Sequence, residues 1–308
     1  MSATGRVLAV TAFFFLAGFM RQVGAVELAV VPQQGQHHAW VPKTVVSTQM
    51  RLVFTMGLEG TGHHFMFQVD DHVYKNNPHL PRMDDFHLDP YFYYAPFTFS
   101  INPSHFGDAR KRAREQMKEF SIRAKNLTSP GMVEVQRGGI SYPNGNGANK
   151  VFAYVDVREF AEAAEAENVD LRVLYLRRSA KDLIIANTVH RPFQDYLGDR
   201  DTTPPGQRFM EYVRIIFTHM GLVHSFLEEL DPAFVICHDW DLLGDPEQAK
   251  AVSTFISPSD EMASLFERSL IDSARIHTSV NDDLPEDGSD VLVARLQKKL
   301  DTFERLYC

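Results

Sequence analysis

Residues 51–64, RLVFTMGLEGTGHH, decide the fold of this chain. They begin as a short apolar run, turn through three glycines and lead into a helix-type stretch that opens at Phe65. A continuous apolar run that ends at glycine predicts a buried strand, and the pattern after it predicts a helix. The stretch therefore predicts a strand, a glycine-rich turn and a helix in direct succession.

The same alternation of apolar strands and helices continues along the rest of the chain. Further strands are predicted at 171–176 and 234–237, and helices at 108–124, 160–167, 182–189, 207–230, 259–275 and 290–306. Strands that are apolar throughout are typical of a parallel sheet buried between two layers of helices. We therefore expect an α/β domain over residues 51–308, with a parallel sheet covered by helices on both faces.

The composition excludes several classes of protein. The 308 residues include 40 Asp and Glu but 31 Lys and Arg, which leaves a formal net charge of −9. The apolar share of 44% is ordinary for a globular protein, so a wholly disordered or fibrous chain is excluded. The acidic balance argues against nucleic-acid binding, which depends on excess positive charge.

Two cysteines are too few for a disulfide framework. Cys237 lies in a predicted apolar strand and is interpreted as an inert buried thiol. A bridge from Cys237 to Cys308 is the alternative.

Residues 1–25 have the pattern of a secretory signal. Arg6 precedes an apolar run over 7–20, and the sequence VGA at 23–25 supplies small residues at the usual cleavage positions. The run is shorter than the roughly 20 residues that cross a bilayer upright. A cleaved signal peptide is the first interpretation, and an uncleaved membrane anchor or a buried helix are the alternatives. Residues 26–50 are polar and aperiodic, which predicts a linker, and the domain after it is expected in the secretory pathway, either in the Golgi lumen or secreted.

The glycines of the turn point to anion binding. Gly57, Gly60 and Gly62 allow the backbone to wrap closely around an anion with its N–H groups pointing inward. The helix that follows adds the positive end of its dipole. The pattern matches the glycine half of a phosphate-binding loop, but His63 and His64 stand where nucleotide-hydrolysing loops have Lys and Ser or Thr. A kinase or hydrolase of that type is therefore disfavoured.

Three stretches, in order, resemble the PAPS-dependent sulfotransferases. Residues 57–64 (GLEGTGHH) resemble their 5′-phosphosulfate loop, and 176–183 (LRRSAKDL) are similar to their 3′-phosphate segment. Residues 241–246 (DLLGDP) resemble a stretch that follows a later strand. The resemblance covers about 51–257 and implies a sulfotransferase-like P-loop fold. It also implies transfer of a sulfuryl group from PAPS to a hydroxyl or amine, on a carbohydrate or protein acceptor, without a metal ion.

The resemblance also assigns roles to individual residues. It implies that Arg178 binds the 3′-phosphate, with Arg177 as the competitor because neighbouring strand residues face opposite sides. Asn187 is expected to add a neutral contact beside Ala186, which holds the position of the family's serine. The candidate nucleotide-binding residues are then Gly57, Leu58, Gly60, Thr61, Gly62, His63, His64, Arg178 and Asn187.

The loop departs from the family's pattern at its charged positions. Gly60 stands where the family usually has Lys or Arg, and His63 and His64 replace its hydroxyl pair. We therefore expect one imidazole to supply the electrophilic contact, and Glu59 either to accept the acceptor's proton or to brace the loop. A metal site at the two histidines is not expected, since neighbouring helix side chains point about 100° apart. An unusual P-loop kinase and a non-catalytic nucleotide- or sugar-binding protein are the rival functions.

Overall fold

The computed structural model describes residues 50–58, 60–80, 93–96, 106–126, 131–134, 140–142, 144–146, 151–154, 157–186, 227, 230–275, 289–304 and 308. All of them belong to one compact unit, Ala39–Cys308. The predicted signal segment 1–25, all but the last residue of the predicted linker 26–50, and nearly all of the predicted helix 207–230 lie outside the described residues. Within these ranges no helix is both long and apolar enough to cross a membrane.

Among the described residues, five parallel strands form the central sheet of the unit. Its order is β3-β1-β7-β8, and β4 pairs with the carboxyl half of β1. Three short strands form a separate antiparallel sheet in the order β2-β6-β5. The strands are β1 Met50–Leu58, β2 Tyr93–Pro96, β3 Gly131–Glu134, β4 Ile140–Tyr142, β5 Asn144–Asn146, β6 Val151–Tyr154, β7 Asp170–Arg177 and β8 Val235–Asp239.

Helices alternate with the parallel strands, which confirms the predicted α/β class. They are α1 His63–Asn76, α2 Phe106–Lys125, α3 Val157–Ala166, α4 Ala180–Ile185, α5 Pro246–Ile256, α6 Asp260–Ala274 and α7 Ser289–Glu304. The predicted strands at the start of the domain, at 171–176 and at 234–237 correspond to β1, β7 and β8. The small antiparallel sheet was not predicted, because its strands are only three or four residues long.

Side chains of β1 and β7 pack against helices through alternate residues. Val53, Leu174 and Leu176 belong to a buried cluster that includes Phe65 of α1 and Phe266 of α6. Burying a side chain of this size contributes about 1.5–3 kcal/mol to folding. The cluster therefore anchors α1, the helix that follows the glycine-rich turn, directly onto the sheet.

The neighbouring residue of β1 packs against a different helix. The ring of Phe54 stacks on Phe160 of α3 with 5.9 Å between the ring centroids. Both rings are almost completely buried. The alternation of side chains along β1 thus directs consecutive residues to different helices.

A charged network joins the amino ends of β1 and β7. The guanidinium of Arg51 donates to the Asp170 carboxylate at 2.8 Å and to the carbonyl oxygens of Phe255 and Ser257 at 2.7 Å each. Those carbonyls lie at the carboxyl end of α5, where backbone acceptors have no partner within the helix. Arg51 therefore binds α5 to the edge of the sheet opposite the glycine-rich turn.

The two cysteines form a disulfide, so the interpretation of Cys237 as an inert thiol was wrong. Cys237 of β8 is bonded to Cys308, and their Cα atoms are 5.6 Å apart. The bridge spans 71 residues of sequence. Pairing over that distance depends on the tertiary placement of α7, and the composition of β8 gives no indication of this pairing.

Candidate functional site

The candidate site lies at the carboxyl edge of the parallel sheet. Gly57 of β1 is level with Leu176 of β7, which is level with His238 of β8. The residues that follow these three strands therefore meet at one edge. In open α/β sheets this edge is where ligands bind.

The turn after β1 is closed by its own hydrogen bonds. The backbone N–H and the hydroxyl of Thr61 both donate to the carbonyl oxygen of Leu58, at 3.1 and 2.7 Å. Gly60 and Gly62 have φ values of 88° and 111° in the left-handed region. The donors of Thr61 are thus engaged within the turn, and donors for a ligand must come from its neighbours.

The first turn of α1 offers such donors. The N–H groups of Phe65 and Met66 donate to the Gly62 carbonyl. Within the described part of the chain, no acceptor pairs with the N–H groups of Gly62, His63 or His64. Gly62 caps the helix without a side-chain hydrogen bond, and the first turn contains no acidic residue. Unpaired donors at the positive end of a 14-residue helix favour an anion.

Close packing also explains why two of these positions are glycine. A Cβ atom at Gly57 would lie 2.9 Å from the carbonyl oxygen of Leu176, and one at Gly62 would lie 2.5 and 2.6 Å from two ring atoms of Trp240. All three separations are too short for real atoms. Gly57 therefore allows β7 to approach, and Gly62 allows an indole to lie directly on the turn.

Arg178 connects the end of β7 to the turn after β1. Its Nη1 atom donates to the carbonyl oxygen of Gly60 at 2.9 Å. Its guanidinium carbon lies 4.7 Å from the centre of the Trp240 ring. The structure thus brings the predicted 3′-phosphate residue to the predicted phosphosulfate turn, across 118 residues of sequence.

Arg177 points to a different set of partners. Its Nε atom donates to the Glu304 carboxylate at 2.8 Å, and its Nη1 atom lies 3.6 Å from Asp239. Burial raises the pKa of Glu304 to about 7, although the nearby Arg177 pulls it down. Arg177 is therefore paired with a buried carboxylate, whereas Arg178 reaches the turn after β1.

Trp240 is the member of this cluster that sequence reasoning missed. It follows β8 directly, contacts Phe65 edge-on with 5.8 Å between the ring centroids, and lies against both Gly62 and Arg178. A single tryptophan immediately after an apolar strand was the available signal. It was missed because side-chain contacts across sheet strands cannot be read from spacing.

The DLLGDP stretch after Trp240 has a structural role. Asp245 caps α5 by accepting from the Gln248 N–H at 2.8 Å, and Gly244 takes a φ of 83°. The Gln248 side chain in turn bonds both the N–H and the carbonyl of Asp239, at 2.9 and 3.0 Å. These bonds fix the turn that carries Trp240.

The Asp241 carboxylate is influenced by the charge of Arg178. The pKa of Asp241 is raised by burial first and then by the charges of Asp239 and Asp182, while Arg178 and Arg177 lower it. A phosphate bound by Arg178 would therefore also interact with the charge of Asp241.

His238 is buried beside the same cluster. Its ring lies nearly parallel to that of Phe65, with 6.2 Å between centroids. Neither ring nitrogen has a hydrogen-bond partner among the described residues. Burial lowers the pKa of His238 to about 4, so the imidazole is neutral at pH 7.

The structure brings together most of the predicted site residues but does not describe all of them. The residues that meet at this edge are Gly57, Leu58, Gly60, Thr61, Gly62, His64 and Arg178. His64 is exposed and contacts Phe67 edge-on, and His63 begins α1. Glu59 and Asn187 lie outside the described residues. In the ranges given above, no three His, Cys, Asp or Glu side chains are grouped so that they could hold a metal ion.

Comparison with known protein families, with curated proteins and with solved structures finds no match to this chain.

Proposed function

We propose that this protein transfers a sulfuryl group from PAPS to a hydroxyl or amine of a carbohydrate or protein acceptor. One observation carries the proposal, namely the hydrogen bond from Arg178 to the Gly60 carbonyl. It joins the two segments that resemble the 3′-phosphate and 5′-phosphosulfate sites of sulfotransferases. In this proposal the sheet belongs to a P-loop architecture with helices on both faces, supported by the packing of Phe54 on α3 and of Val53 against α1.

The reaction would need positioning and charge stabilisation more than covalent catalysis. The bond between sulfur and the bridging oxygen of the 5′-phosphate breaks as the acceptor's oxygen or nitrogen bonds to sulfur, and PAP leaves with the electron pair. The N–H groups of Gly62, His63 and His64 would stabilise the charge that develops on the phosphate. Glu59 is the proposed base for the acceptor's proton, and one of the two imidazoles is the proposed substitute for the family's Lys or Arg.

The disulfide supports the proposed location. Bridges such as Cys237–Cys308 form and persist in oxidising compartments, whereas cytosolic thiols are kept reduced. A disulfide therefore agrees with the signal pattern at residues 1–25. We propose that the domain works in the Golgi lumen or is secreted.

A non-catalytic nucleotide- or sugar-binding protein is the second candidate. It is favoured by the engagement of both Thr61 donors with Leu58 and by Gly60 at the position where the family carries a cation. Such a protein would keep the anion-binding turn without accelerating transfer. The P-loop kinase is less favoured, since the turn lacks the lysine that phosphoryl transfer uses.

Calorimetric titration with PAP, adenosine 5′-monophosphate (AMP) and ATP with or without Mg²⁺ tests the proposal. We expect PAP to bind without Mg²⁺ and more tightly than AMP, and we expect sulfate from labelled PAPS to appear on a glycan or protein acceptor. Binding of PAP without any transfer would favour the second candidate. Preference for ATP with Mg²⁺, or failure of all three nucleotides to bind, would overturn the proposed function.

A further inference from the structure

The geometry points to Trp240 as a positioning residue that holds Arg178 in place for the 3′-phosphate. This inference rests on the proposed function for its ligand. Its structural basis is the set of contacts that Trp240 makes with Arg178 and Gly62.

The indole lies between two parts of the site. On one side, the guanidinium carbon of Arg178 is 4.7 Å from the ring centre, within the range of a cation–π contact. On the other side, the ring lies so close to the turn that a Cβ at Gly62 would come within 2.5 Å of it. A single side chain thus contacts both Arg178 and the turn after β1.

Neighbouring residues of α1 and α5 fix the position of Trp240. Phe65 of α1 contacts the ring edge-on, and the Trp240 carbonyl accepts from the Leu243 N–H at 3.1 Å. Gln248 holds the backbone of Asp239, the preceding residue, through two hydrogen bonds. The indole is therefore a rigid support rather than a mobile surface group.

Arg178 needs such a support because its side chain is long and an acidic residue lies near it. Burial and then the charges of Asp239 and Asp182 raise the pKa of Asp241, and the charge of Arg178 lowers it. Without the indole, the guanidinium would turn toward the Asp241 carboxylate. Stacking on Trp240 together with the bond to Gly60 holds the guanidinium at the carboxyl edge of the sheet.

The ligand-binding test compares PAP with AMP, which differ only in the 3′-phosphate, using the full chain with its disulfide intact. We expect Trp240→Leu to weaken PAP about tenfold and AMP less than threefold. Trp240→Phe keeps an aromatic face and should restore PAP binding to within about threefold of the wild type. Phe266→Leu is a large-to-small change in the same core, at a ring that contacts Tyr74, and it should leave the ratio of PAP to AMP affinity unchanged.

A double-variant comparison decides whether Trp240 acts through Arg178. If it does, Trp240→Leu should add less than twofold to the PAP loss already caused by Arg178→Ala. If the losses of PAP affinity in the two single variants multiply in the double variant, the inference is overturned. Equal losses of PAP and AMP affinity in Trp240→Leu would also overturn it.

The inference also has a readout that needs no nucleotide. Arg178→Met and Trp240→Leu should each lower the urea unfolding midpoint. The sum of these two losses should exceed the loss in the double variant, because both single variants remove the same contact. Simple additivity would overturn the positioning role. If the wild type binds neither PAP nor AMP, the proposed function fails, while this urea comparison still decides the relationship between Trp240 and Arg178.

Discussion

Arg178 at the end of β7 donates a hydrogen bond of 2.9 Å to the carbonyl oxygen of Gly60 in the turn after β1. Its neighbour Arg177 extends to Glu304 of α7 instead. Two adjacent arginines therefore have separate roles, one at the candidate ligand site and one in a buried ion pair.

Arg178→Ala should weaken PAP far more than AMP. Hydrogen bonds to charged groups contribute about 1.5–3 kcal/mol, or about 10- to 100-fold in Kd. Calorimetric titration of both nucleotides gives the ratio directly. In Arg177→Ala the ratio should stay constant while the urea midpoint falls, because Glu304 loses its partner. A larger loss of PAP affinity in Arg177→Ala than in Arg178→Ala would reverse the assignment.

His63→Ala or His64→Ala should lower turnover if one imidazole replaces the missing cation. Removing one donor to a developing oxyanion costs about 100- to 1,000-fold in kcat. Single-turnover transfer from labelled PAPS measures this, and PAP binding should change much less than turnover. Turnover at the wild-type level in both single variants would exclude the imidazoles from the reaction.

Gly62→Ala should destabilise the fold as well as alter the turn. A non-glycine residue at a φ of 111° costs about 1–3 kcal/mol, and its Cβ would also meet the Trp240 ring. Gly244→Ala is a matched control, because it shares the left-handed backbone while its Cβ would lie 3.1 Å from the Ala274 methyl group. Urea unfolding should show a larger loss at Gly62 than at Gly244.

The clash at Gly62 can be tested separately from the backbone strain. In a Trp240→Leu background, the part of the Gly62→Ala stability loss that comes from the clash with the ring should largely disappear, because the ring is gone. A cost that is the same in both backgrounds would mean that backbone strain alone accounts for it.

Glu304 should make the protein less stable as pH rises from about 4.5 to 7. Its pKa is raised from 4.5 to about 7 in the folded state, so the folded protein holds a proton that the unfolded chain has lost. The stabilisation is complete below pH 4.5 and is lost as pH passes through 7, at about 1.4 kcal/mol per unit of pKa difference. In urea unfolding across pH 4–8, the free energy of unfolding of the wild type minus that of Glu304→Gln should show this decline.

His238 should act in the opposite direction over nearly the same range. Its pKa is lowered from 6.5 to about 4 by burial, so it stabilises the fold above pH 6.5, and this is lost as pH falls through 4. The two effects oppose each other in the wild type between pH 4.5 and 6.5. In Glu304→Gln, stability should therefore rise with pH over that range. A flat profile in Glu304→Gln would contradict a buried neutral His238.

Replacing both Cys237 and Cys308 with Ser should lower the free energy of unfolding by about 4 kcal/mol, as expected for a 71-residue separation. Closing a loop of that length restricts the unfolded chain. Urea unfolding of the wild type with and without dithiothreitol should reproduce the difference, and the double serine variant should not respond to reductant. A wild type that is equally stable in dithiothreitol would show that the bridge contributes nothing.

The α/β class could be predicted because it depends on patterns between near neighbours. The apolar runs of β1, β7 and β8 are typical of buried strands, and the helical periods between them favour parallel connections. The glycine-rich turn after β1 was also visible, since glycines after an apolar run mark a tight turn. Two of those glycines nevertheless have causes that spacing does not reveal, namely the approach of Leu176 to Gly57 and of Trp240 to Gly62.

Only the tertiary structure decided which side chains meet. Arg178 and Gly60 are 118 residues apart, Arg177 and Glu304 are 127 apart, and Cys237 and Cys308 are 71 apart. Local sequence determines whether a segment can bury one face, and that preference is the same whichever partner covers it. The partner is selected by the packing of the whole domain, so the roles of Arg177, Trp240 and the disulfide emerged only once β7, β8 and α7 were in place.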